Sequence, residues 1–555
     1  MRVNLQLVGM YLGRTGAIYN IKHTIRRLFT STREAQHTDS RLAVLGVLTG
    51  TLFGAGLIYT KERNSLKNKK DAEKVDGKIR NFKQFSMEEV SKHDSLENGI
   101  WMTFNGNVYD VTDYVVSHPG GTDKIMMAAG GPLEPFFAYF DFHSSNLSIL
   151  EKYRIGDLKE EDIEAREYLD FEDPYQSDPP RHPLLVSSGA FNSLKPFCAE
   201  SPVDRLMDHY ITPNELHYVR NHMPVPIINQ QEYQLNISGK GVRKIQLSLE
   251  ELKSKFTKHT FAATLHCAGN RSNDIKKIKN INVFPIGTGM ISTAVWGGAL
   301  LKDVLEYAGL DEQAVESLGI QHVQFEGLDF DITNTSYGAS IPVYKAMDSR
   351  CDVLIAYEMN GEQIPLDYGF PVRVIAPGIA ACRSAKWLGK IIVSEHESDS
   401  FWQQKAYKGT PPNIDKTNLD MTFFPAIQEY PVTSAICYPR DSQTVSRQDD
   451  GTVKVKGYAW SGGGRGIIRV DVSIDGGKTW TVANLRTQEQ PPGRQWAWTF
   501  WECDVAVPDD SERAEIVSKA VDSSYNVQPE SVLPIWNPRG YLSHAWSRVD
   551  IHLDN

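Results

Sequence analysis

The hydrophobic period changes along this chain, and each change marks a different kind of element. Near residue 80, Phe85-Ser86-Met87-Glu88-Glu89-Val90 reads as a helix start, with Ser86 as cap and acids in the first turn. Trp101 to Phe104 and Asn107 to Val111 read as two strands, and Asn105-Gly106 between them is a hairpin turn signal. A helical stretch follows that contains Phe136, Phe137, Tyr139 and Phe140. From about 184 to 424 the pattern mixes short strands, glycine-rich turns and a few helices. Leu235 to Gly239 and Ile245 to Ser248 predict strands, and Leu249 to Phe256 predicts a helix. Ala294 to Ala308 predicts an amphipathic helix that Gly309 stops. From about 425 the pattern becomes all-β. Thr452 to Trp460 and Ile468 to Ile474 alternate, Asp475-Gly476-Gly477 turns the chain, and Trp496 to Trp501 predicts another strand. Regular short strands separated by turns predict an immunoglobulin-like β-sandwich.

Two segments interrupt this order. Residues 1–33 carry Arg2, Arg14, Lys22, Arg26, Arg27 and Arg33 and no Asp or Glu, the composition of a mitochondrial presequence. An apolar run from Leu42 to Tyr59 follows, just long enough to span a bilayer, with Lys61 and the basic Lys67-Asn68-Lys69-Lys70 behind it. The pair resembles a bipartite signal that sorts proteins to the mitochondrial intermembrane space, with both parts cleaved. The alternative is a retained inner-membrane anchor. Residues 159–183 are dominated by charge and proline, as in Phe171-Glu172-Asp173-Pro174 and Asp178-Pro179-Pro180-Arg181. That composition predicts a flexible linker, and a structured arm is the alternative. The resulting domain plan is 1–75 for presequence and sorting segment, 80–158 for a first folded module, 159–183 for the linker, 184–424 for a central domain and 425–555 for the sandwich.

Composition narrows the function. At 555 residues the chain exceeds one core. A net charge of −10 argues against a nucleic-acid binder and suits docking of a basic partner. The six cysteines are scattered without a CxxC pair, which excludes a disulfide framework or a zinc ribbon. A doubly wound nucleotide fold is excluded by the lack of G-x-G-x-x-G after a first strand. Cys267 stands out among the cysteines, because it sits in His266-Cys267-Ala268-Gly269-Asn270-Arg271, with Arg220-Asn221-His222 upstream. Nearby positive charge is expected to lower its thiol pKa and make it a metal ligand.

His118-Pro119-Gly120-Gly121 is a haem signal, since paired glycines let backbone approach a flat ligand. His143 supplies a second imidazole. With Asp110 to Tyr114 and Lys152 to Gly156, the module resembles cytochrome b5. The resemblance implies haem b, held by His118 and His143 as axial ligands, that transfers electrons and does not bind oxygen.

The central domain resembles the molybdenum-pterin domain of sulfite oxidases and nitrate reductases. The resemblance runs in order through Asn214-Glu215-Leu216, Val219 to Pro226, Cys267 to Arg271, Phe325 to Asp329, Tyr337 to Pro342, Tyr357 to Gly361, Gly369 to Arg373, Lys386 to Gly389 and Tyr407-Lys408-Gly409. A haem module placed first, with no flavin domain, matches the animal sulfite oxidases. The implied architecture is multidomain α+β: a cytochrome b5-like α+β domain, a mixed α/β molybdopterin domain and the C-terminal sandwich. The implied activity is oxidation of sulfite to sulfate at a Cys267-ligated molybdenum-molybdopterin centre. Electrons would pass through the haem to cytochrome c, and the sandwich would form a homodimer contact. Cys267, Tyr407, Arg220 and Arg539 match catalytic and anion-pocket positions. His222, Asp329, Tyr368, Arg373, Ser384, Ala385 and Lys386 match cofactor positions, with His222, Arg373 and Lys386 as expected phosphate partners. Some positions depart from the pattern. Ser272 replaces a second loop arginine, Ile286 a tryptophan, and Tyr368 and Ser384 replace histidines. The missing guanidinium predicts weaker anion binding unless a neighbour such as Arg271 compensates. Two other readings therefore stand beside the first: a divergent molybdohaem oxidoreductase with another substrate, and a non-catalytic cofactor-binding or electron-carrier protein.

Overall fold

The computed structural model describes residues 82–118, 122–139, 147–166, 173–187, 191–281, 285–414, 421–508 and 510–554. The presequence and the apolar run lie outside these residues, as does His143. Among the described residues no helix is long and apolar enough to cross a membrane.

The first module is built on a mixed sheet. Lys83–Phe85, Arg154–Leu158, Asn107–Asp110, Gly99–Phe104 and Asp94–Ser95 lie side by side in that order, and Gly131–Pro132 pairs with Gly99–Phe104. Ser86 caps the helix Met87–Ser91 as expected, its side chain accepting from the Glu89 amide. Asn105 and Gly106 both have positive φ, and the register closes from Phe104 to Asn107. That is the two-residue turn whose twist suits a hairpin. Ile100, Met102, Tyr109, Val111 and Val115 form the core of this module.

The linker is ordered where it is described. Glu160–Arg166 is helical with three acids in its first turn, and Pro183–Ser187 is a second short helix. Between them Arg181 is held on the central domain, donating to both carboxylate oxygens of Asp367 at 3.0 Å and to Asp178 at 2.7 Å. Its guanidinium also lies over the Phe197 ring, 4.4 Å from the centroid. From residue 173 onward the chain is thus a docked arm, not a free tether. Composition could not reveal this, because the partners Asp367 and Phe197 come from distant sequence.

The central domain has two main sheets. One runs Ile245–Ser248, Gln234–Gly239, Leu388–Ser394, His322–Phe330, Ser336–Pro342. The other runs Lys258–His266, Ile291–Leu300, Leu354–Met359, Glu362–Gln363, with Arg373–Ile375 also on Leu354–Met359. The predicted strands at 235–239 and 245–248 are present, and Leu249–Lys255 is helical with a Ser248–Glu251 capping box. The helix expected over 294–308 is half wrong. Ile291–Leu300 is a strand, and only Leu301–Tyr307 is helical before Gly309 at φ 104°. The strand sits between two partners with both faces covered, so it lacks alternation and imitates a buried helix. Gly298 shows why glycine belongs there: a Cβ would stand 2.2 Å from the Ile355 carbonyl oxygen.

The C-terminal domain is a two-sheet sandwich. Thr433–Tyr438, Thr452–Trp460, Thr499–Ala506 and Asn484–Arg486 face a sheet of Gln443–Ser446, Ser547–Asp554, Arg513–Asp522, Ile467–Ser473 and Thr481–Val482. Val453, Val455, Val470, Trp501 and Ile516 fill the space between them. Tyr430, Tyr458, Trp460 and Trp498 instead join the core of the central domain. The two domains therefore share buried apolar surface.

Candidate active site

Cys267 follows directly on the strand Lys258–His266, and its loop is fastened from several sides. The Cys267 amide donates to Met290 O at 3.0 Å, and Leu542 of the C-terminal domain donates to Ala268 O at 2.8 Å. Asn270 accepts from the Met290 amide at 2.9 Å and donates to the Tyr458 hydroxyl at 2.8 Å. The facing loop is clamped in turn, since Glu200 accepts from the Gly287 and Gly289 amides at 2.8 Å each. A thiol held this way has a fixed place on the cavity wall.

The cavity beside it gathers most of the residues singled out from sequence. Cys267, Arg220, His222, Asp329, Tyr368, Arg373, Ser384, Ala385, Lys386 and Tyr407 all line it. Tyr407 follows a π-helical turn, Trp402–Ala406, a local distortion common at functional sites. The buried Arg383 guanidinium donates to the Tyr407 carbonyl at 3.0 Å and to Ile427 O at 2.8 Å, which fixes the backbone there. The Tyr407 hydroxyl and His222 Nε2 are 2.6 Å apart. Tyr407 also stacks on Tyr541, with centroids 5.2 Å apart.

The cations are arranged in two ways. Arg373 donates to the carbonyls of Tyr368 and Ser384 at 2.8 and 3.0 Å and lies over the Trp296 ring. Lys386 donates to Asp367 O at 2.8 Å and to Asn221 Oδ1. Asn221 donates to the same Asp367 carboxylate that Arg181 grips, so the interdomain arm is wired to the cavity floor. Two buried polar atoms on the wall lack any partner, His217 Nε2 and Asp329 Oδ1. Gly327 makes room for the latter, because a Cβ there would stand 2.3 Å from it. Unsatisfied buried polar atoms are rare and costly. An imidazole nitrogen and a carboxylate oxygen beside Lys386 and Arg373 fit an organic cofactor that carries ring N–H groups and a phosphate. Among the described residues no cage of three or more His, Cys, Asp or Glu forms. That suits a metal whose remaining donors belong to its own organic ligand. His217 was missed from sequence: the matched Asn214-Glu215-Leu216 segment stops one residue short of it.

Burial dominates the protonation states. It pushes the Cys267 thiol up, and the Arg220 charge only partly offsets this. The expected lowering by neighbouring positive charge is therefore overturned in the protein alone, because desolvation of the thiolate outweighs one guanidinium. A bound metal reverses that balance, since a coordinating thiol is deprotonated. Burial, then the Arg220 and Lys386 charges, holds His222 well below the usual imidazole range, so it is neutral. Burial likewise pushes His217 down to about 3. Asp329 is raised by burial and Lys386 lowered by it. With His222 neutral, Arg373 and Lys386 remain as the cations available to a phosphate.

Several expected residues stand apart from the cavity. Arg539 lies on the loop after Trp536, where its charge is felt by Tyr541, and its guanidinium makes no hydrogen bond among the described residues. It is not part of the lining. Ser272 and Ile286 are also absent from it. The Ser272 hydroxyl accepts from the Ile286 amide at 2.9 Å. Arg271 does not stand in for the missing arginine. It is fully buried and donates to Asp274 and to the carbonyls of Ser434, Ala545 and Trp546. Its charge is thereby spent on the C-terminal domain. In the first module His118 lies edge-on to Tyr114 at 5.8 Å, and Tyr114 in turn lies 5.4 Å from Tyr153, both packed partly buried against the module's core. An imidazole beside an aromatic ring on a partly covered core suits a flat apolar macrocycle.

Known families match this arrangement piece by piece. A cytochrome b5-like heme/steroid binding domain matches residues 86–159, an oxidoreductase molybdopterin binding domain 222–402, and a Mo-co oxidoreductase dimerisation domain 424–554. Sulfite oxidase from Gallus gallus is 50% identical over 469 residues, covering 84% of this chain and 99% of the relative. Mitochondrial sulfite oxidase from Homo sapiens is 46% identical over 507 residues, 91% of this chain and 89% of the relative. The Drosophila melanogaster enzyme is 45% identical over 480 residues, 85% and 82% respectively. The crystal structure of the sulfane dehydrogenase SoxCD from Paracoccus pantotrophus shares the fold at a TM-score of 0.53 and 24% identity, covering 70% of this chain and 96% of that one. With relatives 46–50% identical over most of its length, this chain belongs to the sulfite oxidase family.

Proposed function

We propose that this protein oxidises sulfite to sulfate in mitochondria, with a molybdenum-pterin cofactor at Cys267 and haem b in the first module. The observation that carries this reading is the clustering of Cys267, Arg220, Tyr407 and the partnerless Asp329 Oδ1 around one cavity. Sulfite and water give sulfate, two protons and two electrons. The bound metal supplies the two-electron couple. Cys267 would hold the metal through its thiolate, a soft donor. Arg373 and Lys386 neutralise the cofactor phosphate, while Asp329 and His217 accept from or donate to its ring. Tyr368 and Ser384 act indirectly. The Tyr368 hydroxyl is bound to His217 O at 2.6 Å and the Ser384 hydroxyl to the Ala376 amide at 3.0 Å, so both shape the wall.

Arg220 binds the sulfite dianion by charge-assisted hydrogen bonds. Arg539, on the C-terminal-domain loop beside Tyr541, is the second arginine proposed for the anion. The Tyr407 hydroxyl shares a hydrogen bond with neutral His222 Nε2, which holds it at the cavity wall to meet a water or departing product. His118 and His143 would hold the haem iron. The haem would supply a one-electron relay, and the acceptor is cytochrome c, whose basic face matches a chain of charge −10. Residues 424–554 carry the homodimer contact. The acid-free residues 1–33 direct the chain to mitochondria, and the apolar run behind them sorts it to the intermembrane space. Steady-state sulfite:cytochrome c turnover, with molybdenum and haem quantified in the same sample, tests the reading. Turnover that scales with molybdenum content supports it. A fully loaded protein that reduces no cytochrome c with sulfite overturns it.

A further inference from the structure

An ion pair joins the haem module to the central domain. Lys124 Nζ and Asp331 Oδ2 are 2.5 Å apart, with the carboxylate almost fully covered. Both ends are placed by local structure. Lys124 sits on the short helix Thr122–Ile125, which begins just beyond the His118-Pro119-Gly120-Gly121 haem signal. Asp331 opens the turn between the strands His322–Phe330 and Ser336–Pro342. Its other oxygen, Oδ1, accepts from the Thr333 amide at 2.9 Å, the Thr333 hydroxyl at 2.5 Å and the Thr335 amide at 3.0 Å. The turn therefore orients the carboxylate before any lysine arrives, and little further entropy is lost when the pair closes. Two residues upstream on the same hairpin, Asp329 lines the cofactor cavity.

We propose that the Lys124–Asp331 pair is the docking contact that seats the haem module on the hairpin that carries Asp329, beside the cofactor cavity, for electron transfer. The inference rests on the function proposed above. In each transfer one electron leaves the reduced metal centre and converts ferric haem to ferrous. The external one-electron acceptor reoxidises the haem before the second. Asp331 is a positioning residue in this scheme, and so is Lys124.

The test uses the full-length holoenzyme. Carbodiimide joins salt-bridged amine and carboxylate without a spacer, so mass spectrometry should find a Lys124–Asp331 isopeptide. That readout needs no turnover, and it survives even if sulfite is not the substrate. Rapid mixing with sulfite then follows haem reduction. Lys124→Glu removes the attraction and adds a repulsion, and should slow haem reduction roughly tenfold. Asp331→Asn keeps the turn-capping oxygen but loses the charge, and should slow it roughly fivefold and flatten its dependence on ionic strength. Lys124→Arg should restore most of the rate. Absence of the isopeptide, or unchanged haem reduction in both charge-removing variants, overturns the proposal.

Discussion

At the residue scale, the chemistry rests on charges that burial alone would suppress. Arg220 keeps its guanidinium beside Cys267 and Tyr407, and Arg271 cannot replace the arginine that Ser272 lacks. Arg220→Gln should therefore raise KM for sulfite about ten- to a hundredfold, as expected for the loss of a charge-assisted hydrogen bond. If ground and transition states share that bond, kcat changes little, and steady-state kinetics at low, fixed ionic strength read both constants. The buried imidazoles make a second prediction. Burial lowers His217 to about 3 from an ordinary 6.5. Between those values the unfolded chain binds the proton that the folded chain refuses, so stability is full above about pH 6.5 and falls as pH drops toward 3. His222 and His266 are lowered in the same sense. Melting temperature followed from pH 7 to pH 4 should decline, and His217→Gln should flatten the decline. Cys267, Arg220 and Tyr407, which line one cavity, stood out in sequence because they sit in an ordered series of motifs. His217 did not, since a lone histidine on an apolar face reads as core and its unpaired Nε2 exists only in three dimensions.

At the scale of elements, sequence and structure part where tertiary packing overrides the local pattern. The hairpin at Asn105-Gly106 and the Ser248–Glu251 cap were legible, because turn and cap chemistry is carried by the residues themselves. Ile291–Leu300 was not. It is paired on both edges and buried on both faces, so the alternation that identifies a strand is gone. The arm at 173–182 was misread for a related reason, since its proline and charge are those of a tether and its anchor Asp367 is remote in sequence. Gly298→Ala tests the strand. Its Cβ would meet the Ile355 carbonyl oxygen at 2.2 Å and force the two strands apart. The expected loss is about 2 kcal/mol or more, read from chemical denaturation with circular dichroism. Gly361→Ala is the control for a glycine with open space but positive φ, and should cost about 1 kcal/mol.

At the scale of the whole molecule, the central domain and the sandwich share one core, whereas the haem module has its own. Tyr458, Trp460 and Trp498 pack with central-domain residues, and Arg271 bonds three carbonyls of the sandwich. Ile100, Met102 and Tyr109 pack only within the first module. Calorimetry should therefore resolve a haem-module transition, moved by haem loss, from a single joint transition of residues 191–554. Three separate transitions would break that account. In the proposed function, electrons from the central domain must therefore cross from one core to the other. Rapid mixing of sulfite with the Cys267→Ser holoenzyme, at matched molybdenum and haem loading, tests the central claim most directly. Its haem spectrum should match that of the unsubstituted protein, and its haem should stay oxidised while the unsubstituted protein's is reduced. Haem reduction at the unsubstituted rate in a fully metallated Ser variant would contradict a thiolate-held metal as the source of the electrons.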